Sequence, residues 1–179
     1  MPKPETEPMQ ASDQAVPADG PGRSRKPALS PSLKGRALRL LSQREHTRRE
    51  LERKLARFEE VPGALAQALD DLQARGFLDE HRAAESLAHR RASAYGAARL
   101  RQEMQDKGLG RELITQTLAG LQSSEETRAR QVWQRRFEAA PADAKERARQ
   151  ARFLLARGFS GDVVRRVLAD KGLDPDGEV

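Results

Sequence analysis

The sequence has no cysteine, so neither a disulfide framework nor a thiolate metal site can form, and nothing in it asks for an oxidising compartment. Aromatic residues make up only 4% of its 179 positions, too few large rings for one thick core. No apolar run approaches the ~20 residues needed to cross a bilayer. The start, MPKPETEPMQ, has neither the basic opening nor the apolar stretch of a secretory signal. Also missing are a Gly-rich phosphate loop, a nucleophile elbow and any Asp/His/Ser set that helical spacing would bring together. The chain therefore reads as a cytoplasmic protein that is not an enzyme, needs no cofactor and acts by binding another macromolecule.

The histidines offer the one hint of a metal. His81, Glu85 and His89 fall at i, i+4 and i+8, along one helix stripe. Three ligands on one straight helix span about 12 Å, beyond the reach of a single ion, so no metal site is expected.

What the sequence does have is charge. Lys and Arg number 33 against 27 Asp and Glu, a formal excess of six, and charged residues reach 34%. Residues 1–31 hold four basic and four acidic side chains, and residues 170–179 hold one basic and four acidic. Between them remain 28 basic against 19 acidic residues, so a strongly basic body lies between a neutral head and an acidic tail. Such a body suits an anionic partner.

Seven of the ten prolines lie in residues 1–31 among few large apolar side chains, which predicts a disordered head. From Leu33 onward the period becomes helical. Helices are predicted over Leu33–Gln43, from a Thr47/Glu50 capping box through Leu51, Leu55 and Phe58, and from Pro62 to Gly76. The series continues over Asp79–Ala94, Gly96–Lys107, Gly110–Leu121, from a Ser123/Glu126 capping box to Phe137, over Asp143–Arg157 and over Gly161–Asp170. No strand is expected.

A shift of 49 residues superposes Leu38 on Leu87, Leu51 on Leu100, Leu55 on Met104 and Leu65 on Ile114; a further 50 takes Met104 to Leu154 and Ile114 to Val164. The step Gly108-Leu109 recurs as Gly158-Phe159, whereas the first copy has Glu59-Glu60 there. The expected fold is thus all-α, three tandem three-helix repeats in an elongated curved array. The expected division is a head over 1–31, repeats over 32–78, 79–121 and 122–172, and an acidic tail over 173–179.

The basic residues concentrate on the second helix of the first and third repeats. Arg49, Arg53 and Arg57 form one stripe and Lys145, Arg149 and Arg152 another, with Lys107 and Arg157 at helix ends; these eight are the candidate partner-binding residues. The third helix of a repeat is poor in base-reading side chains, which argues against sequence-specific DNA recognition but leaves phosphate contact open.

The run Arg44-Glu45-His46-Thr47, then Glu50-Leu51, Lys54-Leu55 and Gly76-Phe77-Leu78-Asp79, is followed by Tyr95-Gly96, Arg99-Leu100, Glu103-Met104 and Lys107-Gly108-Leu109. With Arg152-Phe153-Leu154 and Arg157-Gly158-Phe159, this series resembles the RecX family of recombination regulators over about Leu33 to Lys171. The resemblance implies three tandem three-helix repeats, the RecA recombinase filament as partner, and inhibition of its ATPase and strand-exchange activities. It also implies a place in the filament groove, with DNA contact within or apart from it, and the protein is expected to be a monomer. Ala83-Ala84 stands where the family commonly has a Phe-Ala pair, and the Pro-rich head lies outside the shared pattern. The alternative is a non-specific basic helical nucleic-acid-binding protein without a RecA target, and a third reading is a helical scaffold whose charge confers solubility.

Overall fold

The computed structural model describes residues 31–169. The expected head, apart from Pro31, and the expected acidic tail lie outside the described residues. Within the described residues the chain is wholly helical: α1 Leu33–Leu41, α2 Arg48–Leu55, α3 Ala64–Ala74, α4 Glu80–Ala92, α5 Ala97–Asp106, α6 Arg111–Ala119, α7 Glu125–Gln134, α8 Ala144–Ala156 and α9 Gly161–Ala169. Short 3₁₀ turns follow α2 at Ala56–Phe58 and precede α7 at Gln122–Ser124. Helix packing groups α1–α3, α4–α6 and α7–α9 into three successive bundles.

Each bundle has its own small core. Leu51, Leu55, Leu65, Leu69 and Leu72 fill the first, Leu87, Leu100, Met104, Ile114 and Leu118 the second, and Val132, Leu154, Phe159, Val164 and Leu168 the third. The 49- and 50-residue offsets thus superpose buried positions: Leu55, Met104 and Leu154 are all within 2% of complete burial. Ala83 and Ala84 are both buried, so the first turn of α4 packs closely without the expected aromatic ring.

Four sequence expectations need correction. Leu38 is 37% exposed, although its partner Leu87 is buried; Ala37 takes the inward position of α1. The third helix begins at Ala64 rather than Pro62. Gly63 turns the chain with φ +86°, and Glu59 satisfies an open helix N–H through Leu65 N–H to Oε1 (3.0 Å). The Ser123/Glu126 capping box does not form: Ser123 lies in a 3₁₀ turn and no side chain caps α7. Glu126 turns instead to Arg166 of α9 (2.6 Å). Phe137 falls beyond the end of α7 and packs edge-on against Phe153 with ring centroids 5.2 Å apart. The Thr47/Glu50 box is present in both directions, Thr47 Oγ1 accepting from Glu50 N–H and Glu50 Oε2 accepting from Thr47 N–H.

The recurrent glycine step joins neighbouring bundles. At the seam between the second and third bundles, Gly158 at the end of α8 meets Gly96 at the start of α5. Gly96 N–H donates to Arg157 O (2.9 Å) and Ala98 N–H to Gly158 O (3.1 Å). Ala97 N–H donates to Glu125 Oε1 (3.0 Å). Gly96 has no capping side chain, so the third bundle supplies the partners that α5's first amides lack. The Arg128 guanidinium, its pKa pushed down by burial, adds hydrogen bonds to the carbonyls of Ala92 (2.8 Å), Tyr95 (3.0 Å) and Leu121 (3.2 Å).

The seam between the first and second bundles uses the equivalent positions but different chemistry. Thr47 Oγ1 donates to Lys107 O (2.8 Å) and Lys107 Nζ to Glu50 Oε1 (2.5 Å). Gly108 lies against the Arg49 stem, and Arg82 pairs with Glu45 (2.9 Å). The three second helices therefore follow one another end to end, the carboxyl end of α8 at the amino end of α5 and that of α5 at α2. After α2 the first bundle has Glu59-Glu60 where the later bundles have the Gly-apolar step, and Glu59 there accepts from Leu65 N–H of α3.

Candidate partner-binding face

Leu51 and Leu55 face the core of the first bundle, and this orientation turns Arg53 and Lys54 outward. After Leu55 the backbone tightens into the 3₁₀ turn, which brings Arg57 and Phe58 beside α1. Two guanidinium groups lie against the Phe58 ring, Arg36 with its central carbon 3.9 Å from the ring centroid and Arg57 at 4.7 Å. Stacking of this kind restrains an arginine while leaving its N–H edge available to an anion.

The result is an open groove of about 530 Å³, lined by Arg36 and Arg39 from α1 and by Arg53, Lys54 and Arg57 from α2 and its turn, with Leu40, Leu55 and Phe58 as its apolar part. Among the described residues no carboxylate lines it. Among the described residues, none of Arg39, Arg53, Lys54 and Arg57 has an acidic side chain within salt-bridge distance. Five cations gathered with no described carboxylate in the lining create a local field that draws anions in.

The other candidates are distributed differently. Arg49 is exposed but stands at the seam, its stem against Gly108, so the expected stripe of three divides between seam and groove. Lys107 is engaged by Glu50 within the same seam, its side chain only 22% exposed. On α8, Lys145 and Arg152 are exposed, while Arg149 pairs with Glu146 (3.0 Å) and lies 5.7 Å from the Phe137 ring. Arg157 stacks 4.4 Å above Phe153. His81, Glu85 and His89 border a groove between α4 and α6.

Arg36 and Arg39 were not anticipated. α1 reads in sequence as an apolar helix, and their three-residue spacing places them on its outer side only once α2 is known to pack there. Beneath the seam, His46 is 1% exposed, and its Nδ1 lies 3.7 Å from Glu50 Oε2 without a hydrogen bond. Burial, then Arg44, lowers its pKa to about 4 against the opposing influence of Glu50. Burial would raise Glu50, but hydrogen bonds from Arg44, Lys107 and the Thr47 N–H overcome it and hold the carboxyl at about 2.

Family models describing the first, second and third three-helix domains of RecX match residues 34–79, 79–118 and 124–168 in that order. The chain belongs to the RecX family. The regulatory protein RecX of Leptothrix cholodnii is 54% identical over 155 residues, covering 86% of this chain and 98% of that relative. Its counterpart in Ralstonia nicotianae is 51% identical over 149 residues, covering 82% and 93%. A crystal structure of regulatory protein RecX superposes with a TM-score of 0.67 at 21% identity, covering 78% of this chain and 72% of the other. RecX from Lactobacillus salivarius gives 0.66 at 18% identity, covering 77% and 93%. At these identities the solved structures establish the shared RecX fold, and the closer relatives establish a regulatory role. Among the described residues no helix is long and apolar enough to cross a membrane.

Proposed function

We propose that this chain regulates homologous recombination and DNA repair in the cytoplasm by binding the RecA filament as a monomer and inhibiting its ATPase and strand-exchange activities. It acts by occupancy rather than by catalysis. Membership of the RecX family supports the partner, and the observation that carries the mode of binding is the groove of the first bundle, lined by five cations and by no described carboxylate. A filament wound around DNA is a polyanion, and a basic groove gains affinity for it by displacing counterions. The exposed Lys145 and Arg152 of the third bundle offer a second point of attachment.

The test is DNA-dependent ATP hydrolysis by RecA, titrated with the purified chain. Inhibition should set in well below one chain per RecA protomer. Full hydrolysis at equimolar chain would overturn the proposal. If the chain still bound DNA under those conditions, the non-specific nucleic-acid-binding alternative would take its place.

A further inference from the structure

The two seams occupy equivalent positions but do not bind their bundles equally. Between the second and third bundles, the first amides of α5 have no side-chain cap of their own, and Gly96, Ala97 and Ala98 all donate to groups of the third bundle. Two of those acceptors are backbone carbonyls. Arg128 then ties the third bundle to the carbonyls that end α4. The fit is close enough that a Cβ on Gly96 would lie 2.3 Å from Gly158 O. Separating these bundles would leave a helix end uncapped.

Between the first and second bundles each helix end is already satisfied. Thr47 and Glu50 cap α2 from within its own chain segment, and α5 closes on its own carbonyls, with Lys107 N–H donating to Glu103 O (3.1 Å) and Gly108 N–H to Gln105 O (2.9 Å). Side chains carry the joint: Thr47 to Lys107 O, the Lys107–Glu50 and Arg82–Glu45 ion pairs, and the Arg49 stem on Gly108. Open clefts flank this seam, one of about 500 Å³ bordered by Glu50 and Arg53 on one side and Glu103 and Asp106 on the other, and one of about 670 Å³ between Gln73 and Glu112. Ion pairs between flexible side chains tolerate changes of angle that a run of backbone hydrogen bonds does not.

We infer that the seam between the first and second bundles is the joint at which this array bends, while the second and third bundles move as one body. The basic groove, which lies in the first bundle, is carried by that joint and changes its pitch relative to α8. The device goes beyond the regulatory reading and does not depend on it.

Absence of cysteine makes the test direct, because labelling sites can be introduced one pair at a time. Spin labels at Gln67→Cys and Arg101→Cys report across the first seam, and labels at Arg101→Cys and Gln131→Cys across the second, all at exposed positions of α3, α5 and α7. The label on α5 is shared, so its own motion contributes equally to both pairs. Double electron–electron resonance on the full chain should give a broad distance distribution for the first pair and a narrow one for the second. Molar salt, or Lys107→Met, should broaden the first further and leave the second unchanged. Two equally narrow distributions, two equally broad ones, or a broader second pair would each overturn the inference. Retained helical circular dichroism in every variant ensures that the distances report bending of a folded chain.

Discussion

Replacing Gly96 by alanine would put a new carbon 2.3 Å from Gly158 O and from Phe159 N, where both obstructing atoms are backbone. Neither can turn aside as a side chain could. The chain can keep the seam and absorb the clash, for which overpacking typically costs about 1 to 3 kcal/mol and more when backbone must shift. It can instead open the seam and lose the hydrogen bonds of Gly96, Ala97 and Ala98 to the third bundle, each worth about 1 kcal/mol net. Full opening would also break the Arg128 bonds to Ala92 and Tyr95, so this route is no cheaper than the first, and the expected loss is about 3 kcal/mol. Urea unfolding measures it. Hydrogen exchange identifies the route, because opening exposes the amides of Gly96 to Ala98 while those from Leu100 onward keep their helical partners. Two other glycines calibrate the result. Gly110→Ala meets nothing within 4 Å at an ordinary φ of −67° and should cost about 0.5 to 1 kcal/mol as a cap change. Gly63→Ala also has open space but a φ of +86°, and should cost about 1 kcal/mol from backbone strain alone. If Gly96→Ala proved no worse than Gly110→Ala, the seam would not be the close backbone junction described.

Leu55→Ala, Met104→Ala and Leu154→Ala should each destabilise the fold by ~2 to 5 kcal/mol in urea melts, because all three fill the centre of a small bundle; a neutral result at any one would break the equivalence of the three cores. Acid should weaken the fold from about pH 6.5 downward. His46 is held neutral in the folded chain to about pH 4, so the unfolded state takes up a proton first, for a loss on the order of 3 kcal/mol across that window. The depressed Glu50 adds a further loss as pH falls from about 4.5 towards 2, and His46→Gln should remove the upper part of the dependence as followed by thermal melting at stepped pH.

The helical periodicity and the constant offset of its apolar anchors suffice to reveal three bundles, because Leu55, Met104 and Leu154 each sit where an inward stripe must run. Local chemistry was legible where the partners are near in sequence, as in the Thr47/Glu50 box, and misleading where a distant side chain competes. Ser123 and Glu126 have capping-box spacing, yet Arg166, forty residues away, takes the carboxylate. Leu38 could not be placed from periodicity because α1 is short and has apolar residues on more than one side. The glycine step was visible as a repeat but not as a seam, since its purpose depends on a neighbouring bundle. The same holds for the groove. Three of its five cations come from α2 and its turn, where the density of arginine announces them, and two from α1, where only packing reveals them.

Engagement of the RecA filament by the cations of the first bundle's groove can be read from RecA ATP hydrolysis, titrated with the wild-type chain and with Arg39→Glu/Arg53→Glu/Arg57→Glu, each at low and moderate salt. These side chains are exposed and make no ion pairs with described residues, so circular dichroism and melting should change little. The wild-type chain should inhibit, and inhibition should weaken as salt rises. The triple variant should need at least tenfold more chain for the same inhibition and show a shallower salt dependence, since fewer counterions are displaced. A folded triple variant that inhibits as well as the wild type, with the same salt dependence, would remove the groove from the interface.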